Sequence, residues 1–147
     1  MTTSVVRDSA QAHFRSNQAE AHPFCFVCSG SNPLGLALRH SLAPDGSVSA
    51  SFLGSSALEG YPGMLHGGIV ATLLDGAMTN CLFAQGIRAW TADLRVRYRS
   101  PVLAAEELTV RAWLESSHHS LFELRAEITQ SGTVKARAHG RFIQPDD

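Results

Sequence analysis

The chain has 147 residues, enough for one domain that buries about 70% of the surface its unfolded form exposes, so a core needs neither disulfides nor a structural metal. Its 12 Lys and Arg against 13 Asp and Glu leave a formal net charge of -1, a balance that excludes a binder built on nucleic-acid phosphates. Charged residues make up only 17% of the chain, below the roughly 25% usual in soluble domains, which points to a surface partly covered by another subunit.

Met1 to Phe14 contains no apolar run, so no signal peptide is expected. Cys25, Cys28 and Cys81 are too unevenly spaced for a disulfide framework, and a reducing, cytoplasmic setting follows. Ser9 to Glu20 lacks Gly and Pro and reads as a short surface helix. His22 to Gly35, broken by Pro23, Gly30, Asn32 and Pro33, reads as a loop. Residues 1–35 thus form an extension on a single domain spanning 1–147. Leu36 to Leu42 and Ser47 to Leu53 flank the turn signal Pro44-Asp45-Gly46 and read as a β-hairpin.

A central helix is expected from about His66 to Gln85, ended by Gly86. Its apolar residues, among them Ile69, Val70, Leu73, Leu74, Met78, Leu82 and Phe83, cover most of the circumference, the mark of a helix buried on most sides. The run Leu65 to Ala84 raises the question of a membrane span, but Asp75 at its middle and the strands that follow favour a buried helix and no membrane. Ala92, Leu94, Val96 and Tyr98 alternate with charged residues. Leu108 to Leu114 and Phe122 to Ile128 alternate likewise, and Thr133 to Ile143 is strand-like after the turn Ser131-Gly132. Two strands, one long buried helix and four strands make an α+β fold in which a curved antiparallel sheet wraps around a single helix.

Asp75 is the one charged residue between Glu59 and Arg88. A buried carboxylate must be paired, open to a cleft, or raised in pKa, and structural pairs produce the same signal as catalytic groups. His66-Gly67-Gly68 opens the same helix, where amides without intrahelical partners and the positive end of the helix dipole suit a carbonyl oxygen gaining negative charge. The bland alternative is tight packing at two glycines. Nine helical positions separate His66 from Asp75, about 13 Å and half a turn of phase, so the two do not share a site within one subunit. If both act on one substrate, Asp75 meets the helix start of a second copy in an isologous dimer. A strand returning at about 3.3 Å per residue from Ile87 places Thr91 opposite Asp75, where its hydroxyl either bonds the carboxylate or faces nothing special.

Weaker patterns leave alternatives open. His22, Cys25 and Cys28 have metal-ligand spacing, with His40 conceivable as a fourth zinc ligand, against cysteines that pack as small hydrophobes near the entrance to the domain; no metal is expected. Arg95, Arg97 and Arg99 share a strand face, suited to the phosphates of a nucleotide, with Arg97 and Arg99 as candidate substrate-binding residues, or to a solvated face paired with Glu115 or Glu123. Tyr61, Trp90 and Trp113 either line a ligand pocket or fill core.

The run from Gly60-Tyr61-Pro62-Gly63-Met64-Leu65-His66-Gly67-Gly68 to Asp75, followed by Thr91 to Pro101, resembles the hotdog-fold acyl-CoA thioesterases of the phenylacetyl-CoA thioesterase type. Cys25-Phe26-Val27-Cys28 and Asn32-Pro33-Leu34-Gly35-Leu36 resemble the branch that includes the thioesterase superfamily member 4-like proteins. The resemblance implies a hotdog fold and hydrolysis of acyl-CoA to free acid and CoA without a cofactor. It implies Asp75 as general base or nucleophile, Gly67 polarising the thioester carbonyl with Gly68 beside it, His66 orienting substrate or water, and Thr91 supporting Asp75. It also implies a homodimer or dimer of dimers. Where some members carry an Asn shortly before His-Gly-Gly, this chain has Glu59, Gly60 and Tyr61. The rival expectation is a non-catalytic protein that binds acyl-CoA or another small ligand on the same fold.

Overall fold

The computed structural model describes residues 2–146. Helix α1, Thr2–Ala21, contains the expected Ser9 to Glu20 segment and begins earlier, because nothing before Ser9 breaks a helix. It is fastened to the domain by few but specific contacts. Phe14 is buried at 2% exposure, the Gln11 side chain accepts from the Leu42 amide at 2.8 Å, and Asn17 donates to the Phe83 carbonyl at 3.0 Å.

Strands β1, Ser41–Leu42, and β2, Val48–Leu53, form the hairpin, with Asp45 accepting from the Ser47 amide at 2.9 Å in the turn. The first strand is far shorter than Leu36 to Leu42. Leu36 and Leu38 give their amides to the carbonyls of Phe26 and Val27 instead, and Ala37 sits at a φ of 51°, which breaks the extended run.

Helix α2, Gly67–Ala84, is the centre of the molecule. The His66 ring caps its start and Gly86, at a φ of 76°, turns the chain out at its end. Around it lie β3, Trp90–Tyr98; β4, Glu107–His118; β5, Leu121–Gln130; and β6, Thr133–Ile143. The six strands form one antiparallel sheet in the order β1-β2-β4-β5-β6-β3, the curved sheet around a single helix expected above. Leu73, Leu74, Met78 and Leu82 on α2 meet Val48, Val110, Leu124, Ile128 and Phe142 on the sheet, all fully buried. The helix is long and apolar enough to cross a membrane by length and composition, yet eleven of its eighteen residues are buried in this core.

Two features of this packing position the site. First, β3 is an edge strand, and its burial falls short of the alternation in its sequence: Ala92 and Tyr98 are exposed, only Leu94 and Val96 are half-buried, and a bulge interrupts the register between Thr91 and Asp93. Second, the loop after α1 lies directly on α2. A Cβ on Gly76 would stand 2.6 Å from Val27 Cγ1, so glycine is required for this approach. Gly76→Val is expected to cost about 1–3 kcal/mol in urea unfolding through overpacking, with the loop displaced.

Candidate active site

The start of α2 is built by His66. Its Nδ1 accepts the Gly68 amide at 2.9 Å, while its carbonyl accepts from Ile69 and Val70. Of the two glycine amides expected to face a substrate, Gly68 is therefore already bonded. The Gly67 amide, with no helical acceptor four residues back, finds none among the described residues. The Gly67 carbonyl accepts the Tyr98 hydroxyl at 2.7 Å, which ties the far end of β3 to the helix start. Sequence reasoning missed Tyr98, whose place in the apolar phase of β3 marks it for the core.

His66, Gly67, Tyr98, Tyr61, Met64 and Arg99 border a cavity of about 560 Å³. Its size and mixed lining suit a small organic group. Asp75 and Thr91 are not among the residues that line it. They stand two turns along the helix, where the Thr91 hydroxyl donates to Asp75 Oδ1 at 2.6 Å, the pairing that the strand-return distance anticipates. Asp75 is half-buried on α2. Burial pushes its carboxyl above the ordinary value of 3.8, the Thr91 bond opposes this, the charge of Cys25 adds to it, and His22 counters it. One protomer thus holds the carboxylate and the helix-start amide at separate places on α2, as the helical phase requires.

Arg95 and Arg97 line a second cavity, about 860 Å³, on the outer face of the sheet, and Arg99 borders both cavities. Glu115 pairs with Arg125 and Glu123 with Arg141, so the carboxylates that the solvated-face reading assigns to the stripe are occupied elsewhere. No ion pair joins Arg95, Arg97 or Arg99 to a carboxylate among the described residues. Of the three aromatic residues, Tyr61 lines the cavity, Trp90 is 65% exposed on the edge strand, and Trp113 lies under the Arg111 guanidinium at 4.7 Å on the outer face. The two tryptophans neither fill the core nor border the cavity beside His66.

His22, Cys25 and Cys28 come together with their ligand atoms within 4.8 Å of one another, and His40 stands outside that group, buried at 3% exposure with neither ring nitrogen hydrogen-bonded. Burial lowers the pKa of His40 to about 4 and keeps it neutral. The bond from the Cys28 thiol, with amides of Cys28 and Val27, holds Cys25 down to about 5, and the same shared proton pushes Cys28 up. Glu115, Glu123 and His139 form a second such group, but both of its carboxylates are engaged by arginines.

The model of the thioesterase superfamily matches residues 62–136, more than half of the chain and the whole stretch from the loop before His66 into β6. The chain belongs to the thioesterase superfamily. Among relatives of this superfamily, it is 32% identical over 97 residues to the acyl-coenzyme A thioesterase THEM4 of Rattus norvegicus, a match covering 65% of this chain and 42% of the rat protein. It is also 32% identical over 84 residues to acyl-coenzyme A thioesterase 13 of Mus musculus, covering 56% of this chain and 60% of that one. The match therefore spans about half the length of these curated relatives. In fold, the chain is similar to the PaaI protein of the phenylacetic acid degradation operon of E. coli, with a TM-score of 0.76, 15% identity and coverage of 93% of this chain and 96% of that one. A hypothetical thioesterase from Streptococcus pneumoniae, solved with coenzyme A, superposes with a TM-score of 0.69 at 18% identity over 75% of this chain and 90% of that one. These solved structures establish the hotdog fold for this member of the superfamily.

Proposed function

We propose that this thioesterase-superfamily chain hydrolyses acyl-CoA thioesters to free acid and CoA in a homodimer or dimer of dimers, with Asp75 of one protomer facing the Gly67 amide of its partner. The observation that carries the reading is the Asp75–Thr91 pair: a half-buried carboxylate, fixed by a 2.6 Å bond and raised in pKa, on the same helix whose first amide is unbonded. Acyl transfer needs a base or nucleophile and a donor for the oxyanion, and these two groups supply them without a cofactor. The exposed β3 edge beside both groups, bearing Trp90 and Tyr98, supports pairing with a second copy.

In the working dimer the acyl group enters the cavity beside His66 and Tyr61, and its carbonyl oxygen meets the Gly67 amide. Tyr98 bonds the Gly67 carbonyl, in the next peptide along, and so braces the residue whose amide donates. The partner's carboxylate, held by its own Thr91, either takes a proton from the water that attacks the carbonyl carbon, or attacks that carbon itself to form an anhydride that water then hydrolyses; in both routes the C–S bond breaks, CoA leaves as a thiol and the free acid is released. Arg99, which borders both cavities, and Arg97, which lines the outer one, support a seat for CoA phosphates. Names of relatives that act on acyl-coenzyme A, and a structural neighbour solved with coenzyme A, agree with this substrate class. Three free cysteines agree with a reducing, cytoplasmic setting.

Release of free CoA from a panel of aliphatic and aromatic acyl-CoAs, followed with a thiol-trapping dye, tests the proposal directly. Turnover that disappears in Asp75→Asn supports it. Tight binding of acyl-CoA with equal inertness of both proteins would favour a binding module.

Thr91 serves as a positioning residue with its own signature. Its hydroxyl stabilises the ionised form of Asp75, so removing it raises that pKa further. In Thr91→Val the acid limb of the kcat/KM profile is expected to move to higher pH, with a loss of rate at its plateau. Thr91→Ser, which keeps the hydroxyl, restores the limb.

A further inference from the structure

We propose that His22, Cys25 and Cys28 form a site for one zinc-class divalent cation, which clamps the loop after α1 onto α2 beside Asp75. The proposal does not rest on the reaction proposed above, and its test does not read activity.

The geometry comes from three separately built parts. His22 is held at the end of α1, where its amide donates to the Gln18 carbonyl at 2.7 Å and its ring stands edge-on to Phe83, centroids 4.8 Å apart at 82°. Cys25 opens a tight turn in which the Val27 amide donates to its Sγ at 3.3 Å and the Ser29 amide to its carbonyl at 3.1 Å. The loop between the two cysteines is anchored outward by Val27 against Gly76 and by backbone bonds from Leu36 and Leu38 to Phe26 and Val27. No ligand is left on a free-swinging segment.

The separations fit the ion. With metal–sulfur near 2.3 Å and metal–nitrogen near 2.0 to 2.1 Å, a tetrahedron has S···N edges of about 3.6 Å. Cys28 Sγ and His22 Nδ1 already lie 3.7 Å apart, and the three ligand atoms all fall within 4.8 Å of one another. Two sulfurs and one imidazole nitrogen select zinc and its soft neighbours over calcium or magnesium. The amide at Cys25 Sγ is the kind of supporting bond that orients a thiolate ligand. Three protein ligands leave one position for water. On binding, the thiol proton remaining on the pair of cysteines is released and the cation takes its place between the sulfurs.

The place of the site gives it a consequence. Val27, between the two cysteines, contacts the residue next to Asp75 on α2, so closing the loop around an ion also fixes the wall beside that carboxylate.

The test uses the full chain, reduced, loaded with Zn²⁺ and freed of excess metal. About one zinc per chain by elemental analysis is expected, with loss to below about a tenth in the double variant Cys25→Ser, Cys28→Ser. Replacing zinc by Co²⁺ should give thiolate-to-metal charge-transfer absorption that the double variant lacks. If the double variant fails to fold, alkylation of the unaltered protein decides: Zn²⁺ should protect Cys25 and Cys28, read by peptide mass. Substoichiometric zinc, equal alkylation with and without Zn²⁺, or cysteines recovered joined to each other with no metal bound would each overturn the proposal.

Discussion

Asp75→Asn is expected to lower kcat/KM on acyl-CoA thioesters by about a hundred- to ten-thousand-fold, the range over which a positioned base acts. The same change should leave the protein as stable as before or more so. Burial raises the Asp75 pKa, so the folded state holds its proton to higher pH than the unfolded state does. Stability therefore falls as pH climbs from the ordinary value of 3.8 through the raised one, and the ionised carboxylate is a net cost above that window. Asparagine removes the charge and keeps an oxygen that accepts from Thr91. A variant that is nearly inactive yet melts no earlier, the gap in stability closing as pH is lowered, separates a catalytic carboxylate from a structural one; a variant that is active but unstable would mark Asp75 as part of the frame only.

The second large effect concerns a single backbone hydrogen. Gly67→Pro deletes the helix-start amide at the one position of a helix where proline is favoured. The surroundings accept it: His66 precedes with φ -57° and ψ 136°, a conformation proline permits in the residue before it, and a Cβ at Gly67 meets nothing closer than the Tyr98 hydroxyl at 3.6 Å. The fold is expected to survive, as checked by far-ultraviolet circular dichroism and melting. The rate should drop by about a hundred- to thousand-fold, the effect of losing one oxyanion donor. Gly67→Ala, which keeps the amide, should retain most of the activity. Equal losses in the two variants would assign the position to packing and not to charge stabilisation.

These expectations draw on features that differ in how far the chain alone discloses them. The central helix is legible because apolar residues surround it, and the separation of its two candidate site positions follows from rise and phase: nine steps hold Asp75, at mid-helix, away from His66 at the start whatever the tertiary detail. Thr91 is legible for a similar reason, since a strand returning beside a helix has a known length per residue, and the 2.6 Å bond to Asp75 bears the arithmetic out. Tyr98 is not. It shares its phase with Leu94 and Val96, and only the position of β3 at the sheet edge, set by long-range pairing with β6, leaves it exposed with its hydroxyl on the Gly67 carbonyl. The segment 36–40 reads as a strand for an equally local reason, while its actual backbone partners, Phe26 and Val27, belong to a loop whose path no local pattern reveals. The bond of the exposed Gly68 amide to the His66 ring two residues back likewise depends on the rotamer of His66, invisible until the cap is formed.

The central claim, that one site is made by two protomers, is tested by mixing two defective proteins. Asp75→Asn and Gly67→Pro dimers, each nearly inert, are combined and allowed to exchange subunits, with exchange followed by native mass spectrometry. In a shared site each mixed dimer rebuilds one complete pair, Asp75 from one protomer and Gly67 from the other, so activity should recover to about a quarter of that of the unaltered protein at equal exchange. Mixed dimers that form and remain as inert as their parents would contradict the account.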